Sequence, residues 1–148
     1  MSDYPEALTE IVADMQSITD RQERAELLIE YADRFDTVKV PESIATKPYS
    51  KEHRAPACES EAYVWTEDRP DGTFDLYFDV LNPQGLSAMA MCVILKETLQ
   101  GQPLEQVAQI TPDIVPQIFG RELSMGKGAG LSGIVSLVQY QARQRLKK

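Results

Sequence analysis

The sequence predicts a single α+β domain, helices packed with a small antiparallel sheet, and three observations lead there. Helical periodicity recurs at both ends of the chain. Two short runs rich in aromatic and branched residues flank a turn at Arg69-Pro70-Asp71-Gly72, and an almost wholly apolar segment from Leu86 onward needs a core around it. At 148 residues, one domain over 1–148 buries most of the surface that the unfolded chain exposes.

Asp3, Pro5 and Glu6 read as a cap, a first-turn proline and a capping-box acid, opening a helix with Leu8, Ile11, Val12 and Met15 at helical spacing. Asp20 and Glu23 repeat that signature. The second helix presents Ala25, Leu28, Ile29, Ala32 and Phe35 as an apolar stripe, expected in the core. From Asp36 to Ala57 the periodicity disappears, and Pro41, Pro48 and Pro56 punctuate a polar loop long enough to be functional or disordered. Ala62 to Thr66 and Thr73 to Val80 read as two strands of a hairpin. Phe74, Leu76 and Phe78 share one face of the second strand, and Asp75, Tyr77 and Asp79 the other, so one side of the sheet is expected to be buried.

Asn82-Pro83 predicts the cap and start of the central helix, with Leu86, Met89, Ala90, Val93 and Ile94 apolar almost all round and Gly101 at its end. Pro103 to Ala108 and Pro112 to Phe119 predict two short helices, the second closed by Gly120. A last helix is expected near Gly130 to Arg145, carrying Leu131, Ile134, Val135 and Val138.

The net charge of −8 argues against nucleic acid as a partner, because phosphate neutralisation cannot drive binding. The charge is uneven: residues 1–36 carry ten acids and three bases, residues 121–148 one acid and six bases. No apolar run is long enough to span a bilayer, and the start MSDYPEALTE is acidic where a signal or transit peptide would be basic; the expectation is no membrane and a cytoplasmic location. Two cysteines, Cys58 and Cys92, are too few for a disulfide framework or a self-sufficient metal site, and a reducing compartment suits both. No CxxC, P-loop or dinucleotide fingerprint appears, so neither metal nor cofactor is expected.

Cys58 leaves the proline-bearing loop Arg54-Ala55-Pro56-Ala57 and enters Glu59-Ser60-Glu61, polar neighbours that place its thiol at or near the surface. Its bland alternative is a small buried hydrophobe. A loop-tip thiolate can reach into a partner's active site, with His53 and Arg54 the nearest cations and Glu59 and Glu61 opposing ionisation. Cys92, between Met91 and Val93, reads as inert packing. Ser124 to Gly130 is glycine-rich and opens a helix, which fits either an anion seat or a hinge.

Ala57-Cys58-Glu59-Ser60-Glu61-Ala62-Tyr63-Val64-Trp65 resembles the segment around the reactive cysteine of SufE-type sulfur acceptors, in which Gly-Cys-x-Ser precedes a strand. Asp71-Gly72 falls at that family's hairpin, Gly85-Leu86 at its central helix, and Leu123-Ser124 with Gly130-Leu131 at the start of its last helix; Arg24, Leu28-Ile29 and Tyr31 resemble its second helix. The resemblance covers nearly the whole chain. It implies a carrier rather than a stand-alone enzyme: a protein that docks on a SufS-type cysteine desulfurase and stimulates it, takes a persulfide on Cys58, and passes sulfur to an iron–sulfur scaffold protein. It also implies docking or loop-setting roles for Asp79 and Lys127. Three positions depart from the family pattern: Ala57 replaces the usual glycine, Lys127 a common arginine, and Phe78 a position that is often small and polar before Asp79. Two alternatives stay open: an adaptor that reshapes the desulfurase without holding sulfur, and a redox-sensing thiol protein. Monomer and homodimer are both compatible with the sequence.

Overall fold

A computed structural model describes residues 4–121, 123 and 125–147. The expected cap at Asp3 and the landmark Ser124 lie outside the described residues. The elements are α1 (Glu6–Ser17), α2 (Arg21–Ala32), β1 (Ala62–Asp68), β2 (Phe74–Val80), α3 (Leu86–Leu99), α4 (Leu104–Val107), α5 (Ile114–Phe119) and α6 (Met125–Leu146). The architecture is the expected α+β one: among the described residues, six α-helices pack with a two-stranded antiparallel sheet.

Helix α3 is the axis of the fold. Residues from Ala88 to Leu95 and on to Leu99 are buried on nearly every face, because α1 and α2 cover one side and α6 and β2 the other. The sheet pairs Ala62 with Val80 through Asp68 with Phe74, and Phe74, Leu76 and Phe78 point into the core with no exposed surface. At the hairpin, Gly72 has φ +87°, and Asp71 accepts hydrogen bonds from the Thr73 backbone N–H and hydroxyl. These two bonds lower the Asp71 pKa.

Several elements depart from expectation. The central helix starts at Leu86, not at Asn82-Pro83: Asn82 Oδ1 accepts from the Gln84 N–H at 2.9 Å, and its carbonyl from the Gly85 N–H, closing a turn before the helix. The last helix begins earlier, with Gly126, Gly128 and Gly130 already helical. On α2, Ala32 is buried but Ala25 is exposed and Ile29 is 47% exposed, so the helix packs on α3 through a narrower stripe than expected. Its Asp20 cap forms as expected, accepting from the Gln22 N–H.

The loop between α2 and β1 is ordered and makes a second, smaller core. Val38 and Val40 bond to Phe78 beside β2, and Val40, Tyr63 and Trp65 cluster with Ile44, Tyr49 and Tyr77. Tyr49 meets Tyr63 and Trp65 edge-on, with centroids 5.1 and 4.7 Å apart. Both sides of the sheet are therefore covered over much of its length, where one buried side was expected.

Candidate functional site

The Cys58 loop is a closed excursion from Ala55 to Ala62, whose backbone N–H and carbonyl bond at 2.9 Å. Within it the Glu61 N–H donates to the Cys58 carbonyl, and the Ser60 and Glu61 carbonyls accept from Asn82 and Leu81, fastening the loop to the end of β2. Two non-glycine residues flanking the cysteine adopt left-handed backbone: Ala57 at φ +60° and Glu61 at φ +53°. A β-carbon is disfavoured there, so the closed loop holds strain on both sides of the thiol.

The seat beneath the loop is made of glycines. A β-carbon on Gly133 of α6 would lie 2.0 Å from the Pro56 carbonyl oxygen, and one on Gly130 would lie 3.2 Å from Cys58 Cα and 3.5 Å from its Sγ. On the other side, a β-carbon on Gly85 would come within 2.9 Å of Ser60. Side-chain-free positions on α6 and ahead of α3 thus let the backbone of the loop lie directly on the helices. Sequence reading attended to the loop and missed its seat, although Gly130, Gly133 and Gly85 were visible as glycines near helical segments.

This packing overturns the expectation of an accessible thiol. Cys58 is 5% exposed, although Pro56, Ala57, Glu59 and Glu61 around it are exposed. It borders two recesses. The inner one, about 290 Å³, is walled by Ser60, Asn82, Ser87, Lys127 and Gly130; the outer, open one is bordered by Lys51, Arg54 and Glu59. Lys127, in the first turn of α6, therefore shares a recess with Cys58, and Arg54 lies on the outer side. His53 turns away: its Nδ1–H donates to the Val64 carbonyl at 3.0 Å, and its ring stacks on Trp65.

Asp79 is 3% exposed. Its Oδ2 accepts from the Tyr49 hydroxyl at 2.7 Å and its Oδ1 from the Val80 N–H at 2.8 Å, so it ties the long loop to β2 rather than presenting a carboxylate on the surface. Burial, followed by the bond to Asp79, pushes the Tyr49 pKa far above its ordinary value. Cys92 has no exposure, and burial first, then the negative charge that Cys58 and Asp79 carry when ionised, raises its pKa strongly. Both cysteines are free thiols. Among the described residues, no group of His, Cys, Asp and Glu could hold a metal ion, and no helix is long and apolar enough to cross a membrane.

The arrangement offers a thiol on a strained, closed loop, between a polar recess and an open one. The fold has a solved counterpart: the solution structure of a hypothetical protein from Thermus thermophilus is similar with a TM-score of 0.69 and 24% identity, over 98% of this chain and 99% of that one. No curated protein matches the sequence. The profile of the SufE family, described as the Fe-S metabolism associated domain, matches residues 9–142, and the chain belongs to that family.

Proposed function

We propose that, within iron–sulfur metabolism, this protein accepts sulfur on Cys58 from a SufS-type cysteine desulfurase, stimulates that enzyme, and passes the sulfur to an iron–sulfur scaffold protein. The observation that carries the reading is the position of Cys58 at the tip of a closed, strained loop between the two recesses. In the exchange, the Cys58 thiolate attacks the outer sulfur of the enzyme's cysteine persulfide. A bond forms between Cys58 Sγ and that sulfur, the enzyme's sulfur–sulfur bond breaks, and the electron pair leaves on the enzyme's thiolate. No net oxidation occurs, and release to the next thiol repeats the exchange.

At 5% exposure Cys58 cannot meet a partner's persulfide in line, so the loop must lift from Gly130 and Gly133. Relief of the left-handed strain at Ala57 and Glu61 offsets part of the cost of lifting. Lys127 is the docking residue in this reading, exposed at the rim of the inner recess. Asp79 contributes by position, holding Tyr49 and with it the long loop that leads into Arg54-Ala55-Pro56.

The burial of Cys58 also favours a second reading, an adaptor that alters the desulfurase without carrying sulfur. Incubation with a SufS-type desulfurase and cysteine carrying labelled sulfur separates the two. Carriage requires label on the wild-type protein and none on Cys58→Ser, whereas the adaptor requires full stimulation by Cys58→Ala and no label on either protein.

A further inference from the structure

A cavity remote from Cys58 opens between the end of α1, the start of α2 and the end of α5. It measures about 470 Å³ and is lined by Gln16, Arg24, Asp113, Gln117, Gly120 and Arg121. A smaller recess of about 210 Å³ shares Arg24, Gly120 and Arg121 with it and adds Arg21.

Three arginines elsewhere in the chain are held by carboxylates, whereas among the described residues Arg54 and Arg143, like the two of this cavity, are not. Arg34 is paired with Glu97, Arg69 with Asp75 and Arg145 with Asp68. Arg24 and Arg121 have no carboxylate partner among the described residues, in a protein with eight more acids than bases. Arg24 spends one nitrogen, Nη2, on the Met15 and Ile18 carbonyls at the end of α1, at 3.2 and 2.6 Å. Its Nε–H is buried with no acceptor. Nη1 lies against Gly120, where a β-carbon would stand 2.8 Å from it and where φ is +86°. The Nε–H is closed off from the cavity, so Nη1, neither hydrogen-bonded among the described residues nor fully buried, is the Arg24 nitrogen left to meet a ligand there.

We infer that this cavity binds a small oxyanion of the phosphate type, held between the guanidinium groups of Arg24 and Arg121 with the amides of Gln16 and Gln117 beside it. Guanidinium N–H donors match an oxyanion better than a halide, and the lack of a side chain at Gly120 lets Arg24 Nη1 lie against the backbone there. Asp113 opposes the anion and sets a modest affinity.

Titration of the full chain with inorganic phosphate, followed by amide NMR at constant ionic strength against chloride, tests this. Saturable shifts at Gln117, Gly120 and Arg121 are expected with phosphate and not with chloride. Arg121→Gln, which removes an exposed side chain with no side-chain bond among the described residues, weakens binding by about tenfold. Asp113→Asn tightens it. Arg24→Lys also weakens binding; should that variant lose its fold, Arg121→Gln and Asp113→Asn still decide. Shifts that do not saturate, equal shifts with chloride, or an affinity unchanged in both Arg121→Gln and Asp113→Asn would overturn the site.

Discussion

The Pro56 carbonyl oxygen occupies the space that a β-carbon on Gly133 would need, at a separation of 2.0 Å, so the Cys58 loop closes on α6 only because residue 133 is glycine. The contact involves backbone oxygen on one side and helix backbone on the other, and no side-chain rotation relieves it. Gly133→Ala therefore displaces the loop. Although alanine favours a helix by about 1 kcal/mol over glycine, the intrusion costs the closed loop ~1–3 kcal/mol. Reaction of Cys58 with a disulfide reagent is expected to quicken by about 5- to 150-fold, the same energy expressed as an opening equilibrium. An unchanged rate would mean that Gly133 does not hold the loop shut.

Ala57 works in the opposite sense. At φ +60° its β-carbon costs the closed loop about 1–2 kcal/mol. Ala57→Gly removes that cost, while the greater freedom of glycine in the opened loop returns ~0.4–1 kcal/mol. The net effect holds the loop closed more firmly. Labelling of Cys58 is expected to slow by roughly 2- to 5-fold with the melting temperature unchanged or slightly raised; faster labelling would contradict the strain.

The part-buried hydrogen bond from Tyr49 to Asp79 yields a stability effect with a defined pH range. Tyr49→Phe leaves Asp79 Oδ2 buried without that donor, a cost of about 1–3 kcal/mol in denaturant unfolding at neutral pH. The Tyr49 pKa is raised on folding, so its contribution is fully present below the unfolded tyrosine value of about 10 and is lost as pH rises from there toward the folded value. Wild-type stability should therefore fall above about pH 10, and Tyr49→Phe should fall less steeply over the same range. Parallel slopes for the two proteins would argue against a protonated Tyr49 bonded to Asp79.

Lys127 is exposed at the rim of the Cys58 recess. Lys127→Glu reverses a rim charge, and such changes act mainly on association rate. A several-fold loss in the rate of sulfur acceptance at low salt, shrinking at high salt, is expected with little change in unfolding midpoint. A loss independent of salt would point to a role inside the recess instead.

What the sequence revealed and what it concealed divide along a physical line. The alternation of Phe74, Leu76 and Phe78, the apolar run of α3 and the Asp20 cap are local patterns, and each appears in the fold as expected. Asp79 shares the polar face of β2 with Asp75 and Tyr77, yet it is buried, because the loop carrying Val40 and Tyr49 returns across the sheet face that periodicity assigns to solvent. Cys58 has exposed charged neighbours in the chain, and its burial comes from Gly130 and Gly133, more than seventy residues away in sequence. Contacts between a loop and a distant helix leave no period to read. The cysteine itself was legible; the closed state of its loop was not.

The claim that Cys58 carries sulfur is tested most directly by intact-protein mass spectrometry after incubation with a SufS-type desulfurase and cysteine, with peptide mapping of the modified residue. The account expects one added sulfur atom on the wild-type chain, mapped to Cys58, removable by a thiol reductant and absent from Cys58→Ser. Sulfur added equally to Cys58→Ser, sulfur mapped to Cys92, or an unmodified wild-type chain beside an active, stimulated desulfurase would contradict it.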